Sequence, residues 1–157
     1  MAVRAPTVSP HGPPVCPLGE IRRLCIVLLS GIGDVVHGLP LLDDIAQAVP
    51  DAEVTWIAEP APAQVLKGHP GLHRLYVFRP RDGIRGVLEL RREMSGMRAD
   101  VTLNIQRYFK SVWPTLFSGA PIRVGLPRSK TRDGVRFFHT HLLQDGPWKH
   151  TQDIFLD

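Results

Sequence analysis

An apolar, β-branched run at residues 21–29 (IRRLCIVLL) stops abruptly at Ser30-Gly31-Ile32-Gly33-Asp34, and apolar residues at helical spacing follow. The run is far shorter than the roughly 18 residues a membrane-spanning helix needs. It also lacks the polar alternation of a strand with one wet face, so it predicts a strand buried on both faces. The glycines that end it predict a tight turn. From Val35 the apolar positions Val36, Leu39, Leu42, Ile45, Ala46 and Val49 predict a helix. Pro40 must sit in an early turn of that helix or kink it, and Pro50-Asp51 stops it.

The same alternation continues. Strands are predicted at 53–58 (EVTWIA), 72–78 (LHRLYVF), 100–105 (DVTLNI) and 122–126 (IRVGL). Helices are predicted at 61–67, at 84–97 with Val87, Leu88, Arg91 and Met94 on one face, and at 108–117 despite Pro114. Residues 135–143 add extended structure. Short strands alternating with helices specify an α/β fold, a Rossmann-like parallel sheet flanked by helices. In such sheets ligands bind beyond the carboxyl ends of the strands. The 30–34 turn and the 104–110 turn both fall there.

At 157 residues, 43% apolar and 22% charged, the chain makes one core and not two full-sized domains. Residues 1–20 hold five prolines and no apolar centre, so they read as a disordered Pro-rich leader and not as a secretory signal. The domain then runs over 21–149. A helix begins near Thr151 and 150–157 ends after about two turns without a C-cap, as if the chain were cut. Cys16 and Cys25 have no metal or disulfide spacing, which suits a reducing cytoplasm.

Charge is uneven. Through Glu59 there are three Arg against seven acids; from Pro60 there are sixteen Lys and Arg against eight. A basic second part suggests an anionic partner, with a solvated basic face as the plain alternative. Arginine forks bind phosphate and carboxylate bidentately. No nucleic-acid recognition motif accompanies the charge, and aromatics are only 7%.

The 30–34 turn admits several chemistries. A dinucleotide fingerprint needs a third glycine where Val36 stands, although Glu59 at the end of the second strand could hold a ribose; that would make the chain an oxidoreductase domain. Asp34 could instead take a proton from a substrate hydroxyl, or simply complement the start of its helix. As a base, Asp34 needs partial burial to offset the helix terminus. His37, one turn later, could reach Asp34 or be structural. His139 and His141, two apart, could share a strand face and a metal, but no further ligand stands at telling spacing. Trp56, Trp113 and Trp148 read as core or domain-contact residues.

Residues 26–40, IVLLSGIGDVVHGLP, resemble the opening of the heptosyltransferases of glycosyltransferase family 9, through Ser30, Gly33, Asp34, His37, Leu39 and Pro40. Gly31 replaces a frequent Ser. Residues 54–59 are similar to that family's second strand, and 99–111 (ADVTLNIQRYFKS) to its Asp–strand–Gln–Lys-Ser segment, with Asn104 where Asp is usual. Residues 125–134 resemble the segment carrying an acceptor-binding Arg, here Arg132, and His150 matches a His near the linking helix. The resemblance implies the N-terminal, acceptor-binding half of a GT-B glycosyltransferase. It implies inverting transfer of heptose from ADP-heptose to an anionic lipopolysaccharide core acceptor, with no metal and no cofactor. Asp34 is the implied general base. Ser30, Gly33, His37, Arg81, Arg85, Gln106, Lys110, Ser111 and Arg132 are the implied substrate-binding residues. The donor would be held mainly by the other half, and the lipid-linked acceptor implies contact with the inner face of the cytoplasmic membrane. A non-catalytic glycolipid-binding fragment is the remaining alternative.

Overall fold

The computed structural model describes residues 17–143. Most of the expected leader, together with Cys16, Trp148, His150 and the helix expected from Thr151, lies outside them. Six strands form one parallel sheet in the order β3-β2-β1-β4-β5-β6: β1 Arg23–Val27, β2 Glu53–Ala58, β3 Arg74–Val77, β4 Val101–Asn104, β5 Ile122–Gly125 and β6 His141–Leu142. Five α-helices connect them: α1 Ile32–Gly38, α2 Pro40–Ala48, α3 Pro60–Leu66, α4 Gly83–Glu93 and α5 Val112–Phe117.

β1 lies in the middle and alternates its side chains between two cores. Leu24 and Ile26 join Val54, Trp56 and Ala58 beneath Val35, Leu42, Ile45, Ala63 and Leu66 of α1, α2 and α3. Cys25, Val27 and, just past the strand, Leu29 face Ile57, Phe78, Leu90 and Met94, with Phe117 of α5 alongside. Burial on both sides is why the run in β1 carries no polar alternation. The Cys25 thiol is pushed up to about 12 by that burial, against an opposing hydrogen bond with Thr102, so it is inert at neutral pH. At the amino ends of the strands, Asp100 accepts the backbone N–H groups of Arg22 and Arg23 at 2.9 and 2.8 Å. Desolvation works to raise its carboxyl, but these bonds and the Arg23 guanidinium hold it below the ordinary value.

Several expected boundaries shift for physical reasons. The first helix starts at Ile32 and breaks at Leu39, and Pro40 opens α2 at N1, where a missing N–H costs nothing. The helix expected over 108–117 is a 3-10 turn, Phe109–Ser111, followed by α5, with Pro114 in its first turn. The extended segment expected at 135–143 is a 3-10 turn at Val135–Phe138 and then β6. Leu18–Glu20, at the end of the expected leader, forms a 3-10 turn. On α4 the buried stripe is Gly86, Leu90 and, just past the helix, Met94; Leu88 is 56% exposed and Arg91 is exposed, so the face expected from Val87, Leu88, Arg91 and Met94 is corrected. Two stripes compete on this helix, and the one containing Gly86 allows the closer approach. Trp56 is fully buried and donates its indole N–H to the Leu28 carbonyl, whereas Trp113 is 39% exposed.

His139 does not join His141 as a ligand pair. Its ring lies against the Gly125 backbone and neither ring nitrogen has a hydrogen-bond partner. Among the described residues no cluster of three or more His, Cys, Asp or Glu is placed to hold a metal. Burial, with help from the Arg123 guanidinium, pushes His139 down to about 4. Its unfolded value is near 6.5, so the folded state prefers the neutral ring. The corresponding stability is complete above pH 6.5 and is lost as pH falls from 6.5 towards 4. We expect this to cost about 2 kcal/mol after solvent screening. Urea unfolding of His139→Phe, which keeps a flat ring but cannot titrate, should show a shallower fall in stability across that window; an unchanged slope would assign the pH dependence elsewhere.

Candidate functional site

The strand order reverses between β1 and β4: β2 and β3 lie on one side of β1, while β5 and β6 lie beyond β4. A crevice opens beyond the carboxyl ends of strands at such a reversal. Two turns border it, one leaving β1 at Ser30 and Gly31, the other leaving β4 at Ile105 and Gln106.

Gly31 has φ +87 and is the N-cap of α1, a backbone setting that side chains disfavour. A Cβ on Gly31 would also stand 2.5 Å from Asp34 Oδ2. The Asp34 carboxylate therefore folds back over the glycine, in space a side chain at position 31 would occupy. Asp34 is exposed in the first turn of α1, whose N-cap, Gly31, has no side chain to cap it. Gly33, beside it, is exposed, and so is His37 in the last turn, three residues along and on the same side.

A cavity of about 440 Å³ adjoins the turn, walled by Ser30, Gly31, Ile32, Glu59, the start of α3, and the segment 79–82. Asp34 stands at its edge and is not part of the wall. Pro80–Asp82 forms a 3-10 turn, and α4 presses on it at Gly86: a Cβ there would meet the Arg79 carbonyl oxygen at 2.0 Å. Arg81 lines the cavity together with Glu59, Arg79 and Asp82. Lys110 forms a half-buried ion pair with Glu59, tying the end of β2 to the turn after β4.

The other candidate residues are spread more widely. Gln106 is buried and bonds to the Ser30 turn. Ser111 is fully buried; its Oγ accepts the Asn104 amide at 2.9 Å and donates to the Tyr108 carbonyl at 2.9 Å. Arg85 points outward and pairs with Glu89 at 2.9 Å, in a separate shallow groove with Ile84, Leu88 and Arg92. Arg132 is exposed beyond β5, its backbone N–H bonded to the Arg107 carbonyl at 2.9 Å. The structure thus gathers Ser30, Gly33, Asp34, Arg81, Gln106 and Lys110 around one crevice, and it leaves Arg85 on the outer face of α4. Asp82 went unnoticed in the sequence, although Arg-Asp-Gly after a proline marks a turn. So did the part Asn104 plays.

No family model matches the chain. It is 29% identical over 135 residues to the lipopolysaccharide core heptosyltransferase OpsX of Haemophilus influenzae, covering 86% of this chain and 39% of that protein. The chain is similar to the lipopolysaccharide heptosyltransferases. A glycosyltransferase family 9 structure from Veillonella parvula superposes with a TM-score of 0.75 at 22% identity, covering 90% of this chain and 40% of that one. The E. coli heptosyltransferase WaaC with ADP-2-deoxy-2-fluoro heptose gives a TM-score of 0.75 at 22% identity, covering 85% and 46%. The Rossmann-like sheet is therefore the fold found in heptosyltransferase structures of the GT-B type. The chain spans about two fifths of the length of these relatives, in their N-terminal half.

The contact of Gly86 with Arg79 fixes the cavity wall. Gly86→Ala should lower the unfolding free energy by up to about 2 kcal/mol, because overpacking against backbone costs about 1–3 kcal/mol and helix propensity returns about 1 kcal/mol. Gly33→Ala, where a Cβ meets nothing within 4 Å, should be neutral or slightly stabilising. Urea titrations giving equal effects at the two positions would contradict this packing.

Proposed function

We propose that this chain is the acceptor-binding half of a glycosyltransferase that moves heptose from ADP-heptose to an anionic lipopolysaccharide core acceptor. The observation that carries the proposal is the placement of Asp34: an exposed carboxylate in the first turn of α1, at the strand-end crevice and beside a cavity walled by Arg79 and Arg81. In the proposed reaction the acceptor hydroxyl oxygen attacks the anomeric carbon, Asp34 takes the hydroxyl proton, and ADP departs with the bonding electrons from the opposite face. The anomeric configuration is thereby inverted, and the step calls on no metal.

Arg81 and Arg79 suit phosphate or carboxylate groups of the acceptor, and His37 stands where it can meet the reacting sugar. The donor nucleotide is assigned mainly to the other half of the full-length enzyme, which would also cover Asp34 and exclude water. The lipid-linked acceptor puts the work at the inner face of the cytoplasmic membrane; among the described residues no helix is long and apolar enough to cross it. The dinucleotide alternative is weakened because Glu59, its ribose ligand, is engaged by Lys110.

Asp34→Asn in the full-length enzyme should lower kcat by about 10²–10⁴-fold while donor and acceptor still bind, as measured by single-turnover transfer and calorimetry. Undiminished transfer would remove Asp34 as the base. Salt-sensitive acceptor binding with no transfer by the wild type would instead mark a non-catalytic glycolipid binder.

A further inference from the structure

Gln106, which the family resemblance places among the substrate-binding residues, has its polar atoms already engaged by the protein. It is 5% exposed. Its Oε1 accepts the backbone N–H groups of Leu29 at 2.9 Å and Ser30 at 3.2 Å, and its Nε2 donates to Ser30 Oγ at 3.2 Å. Only this orientation of the amide sets an acceptor against two N–H donors and a donor against the hydroxyl. Gln106 is itself held: its backbone N–H donates to Asn104 Oδ1 at 3.1 Å, and Asn104 Nδ2 donates to Ser111 Oγ at 2.9 Å. Asn104 and Ser111 are fully buried. A continuous buried relay thus runs from the turn after β4 to the turn after β1.

We propose that Gln106 is a positioning residue for the transfer reaction, holding residues 29–31, and through them the first turn of α1 with Asp34, against the end of β4 without touching substrate. The proposal rests on the reading of Asp34 as the base. The turn needs such a clamp because it contains Gly31, which restrains its own backbone least. A displacement of about 1 Å at a reacting group can cost on the order of 10²-fold in rate.

The test compares wild type, Gln106→Met and Gln106→Glu in the full-length protein. Methionine fills the space but offers no comparable hydrogen bond; glutamate keeps the acceptor oxygens. Amide hydrogen exchange is read at Leu29 and Ser30, with Ile26 and Thr102 as strand controls, alongside kcat and acceptor KM. With Gln106→Met we expect exchange at Leu29 and Ser30 to speed up at least tenfold with the controls unchanged, kcat to fall by about 10–100-fold, and KM to stay within twofold. Gln106→Glu should recover the exchange protection. Unchanged exchange overturns the proposal, and so does a raised KM at constant kcat, the mark of a substrate ligand. A wild type that transfers no heptose removes the reading of Asp34, while the exchange arm still decides whether Gln106 holds the turn.

Discussion

Two backbone N–H groups, those of Leu29 and Ser30, emerge just past β1 where the strand ladder has ended and no main-chain carbonyl takes them. Buried donors of this kind cost about 1–3 kcal/mol each when left unpaired. The Gln106 side chain answers both from the turn after β4. That single amide joins the two turns at the place where the sheet reverses its strand order, and the local geometry follows from it. Ser30 is fixed, Gly31 can adopt its positive φ, α1 starts at Ile32, and the Asp34 carboxylate comes to the rim of the crevice.

The sheet supplies the rigid frame for this arrangement. β1 sits between β2 and β4 with both faces buried, so its carboxyl end has little freedom. The ion pair of Glu59 with Lys110 adds a second tie across the same end, and the contact of Gly86 with the Arg79 carbonyl fixes the far wall of the cavity. Buried or half-buried contacts thus hold the two turns and the cavity wall that border Asp34, and a wall fixed in this way keeps its shape when a ligand arrives.

Much of this was legible in the residues. The largely apolar 21–29 run predicts a strand buried on both faces, as β1 is, and the Ser-Gly-Ile-Gly-Asp turn falls at the carboxyl end of that strand, beside the crevice. Failures came where local pattern was degenerate or where tertiary contacts decided. On α4 two apolar stripes compete, and a glycine's ability to approach the neighbouring turn chose between them, turning Leu88 and Arg91 outward. At 135–143 the β-like composition yielded to a 3-10 turn before β6. Gln106, Ser111 and Lys110 carried polar groups that suited a ligand, but their partners lie 76, 7 and 51 residues away, a pairing that no local pattern contains.

The similarity to lipopolysaccharide heptosyltransferases and the crevice geometry bear on one claim: that the Asp34 carboxylate receives a proton from a sugar hydroxyl. The most direct measurement is a crystal structure of the full-length protein with an unreactive ADP-heptose analogue and the proposed lipopolysaccharide core acceptor. The account predicts an Asp34 oxygen within about 3 Å of the acceptor hydroxyl that faces the anomeric carbon, and acceptor anionic groups on Arg81. An acceptor hydroxyl resting on a different base, with Asp34 turned away or beyond hydrogen-bond reach, would contradict it.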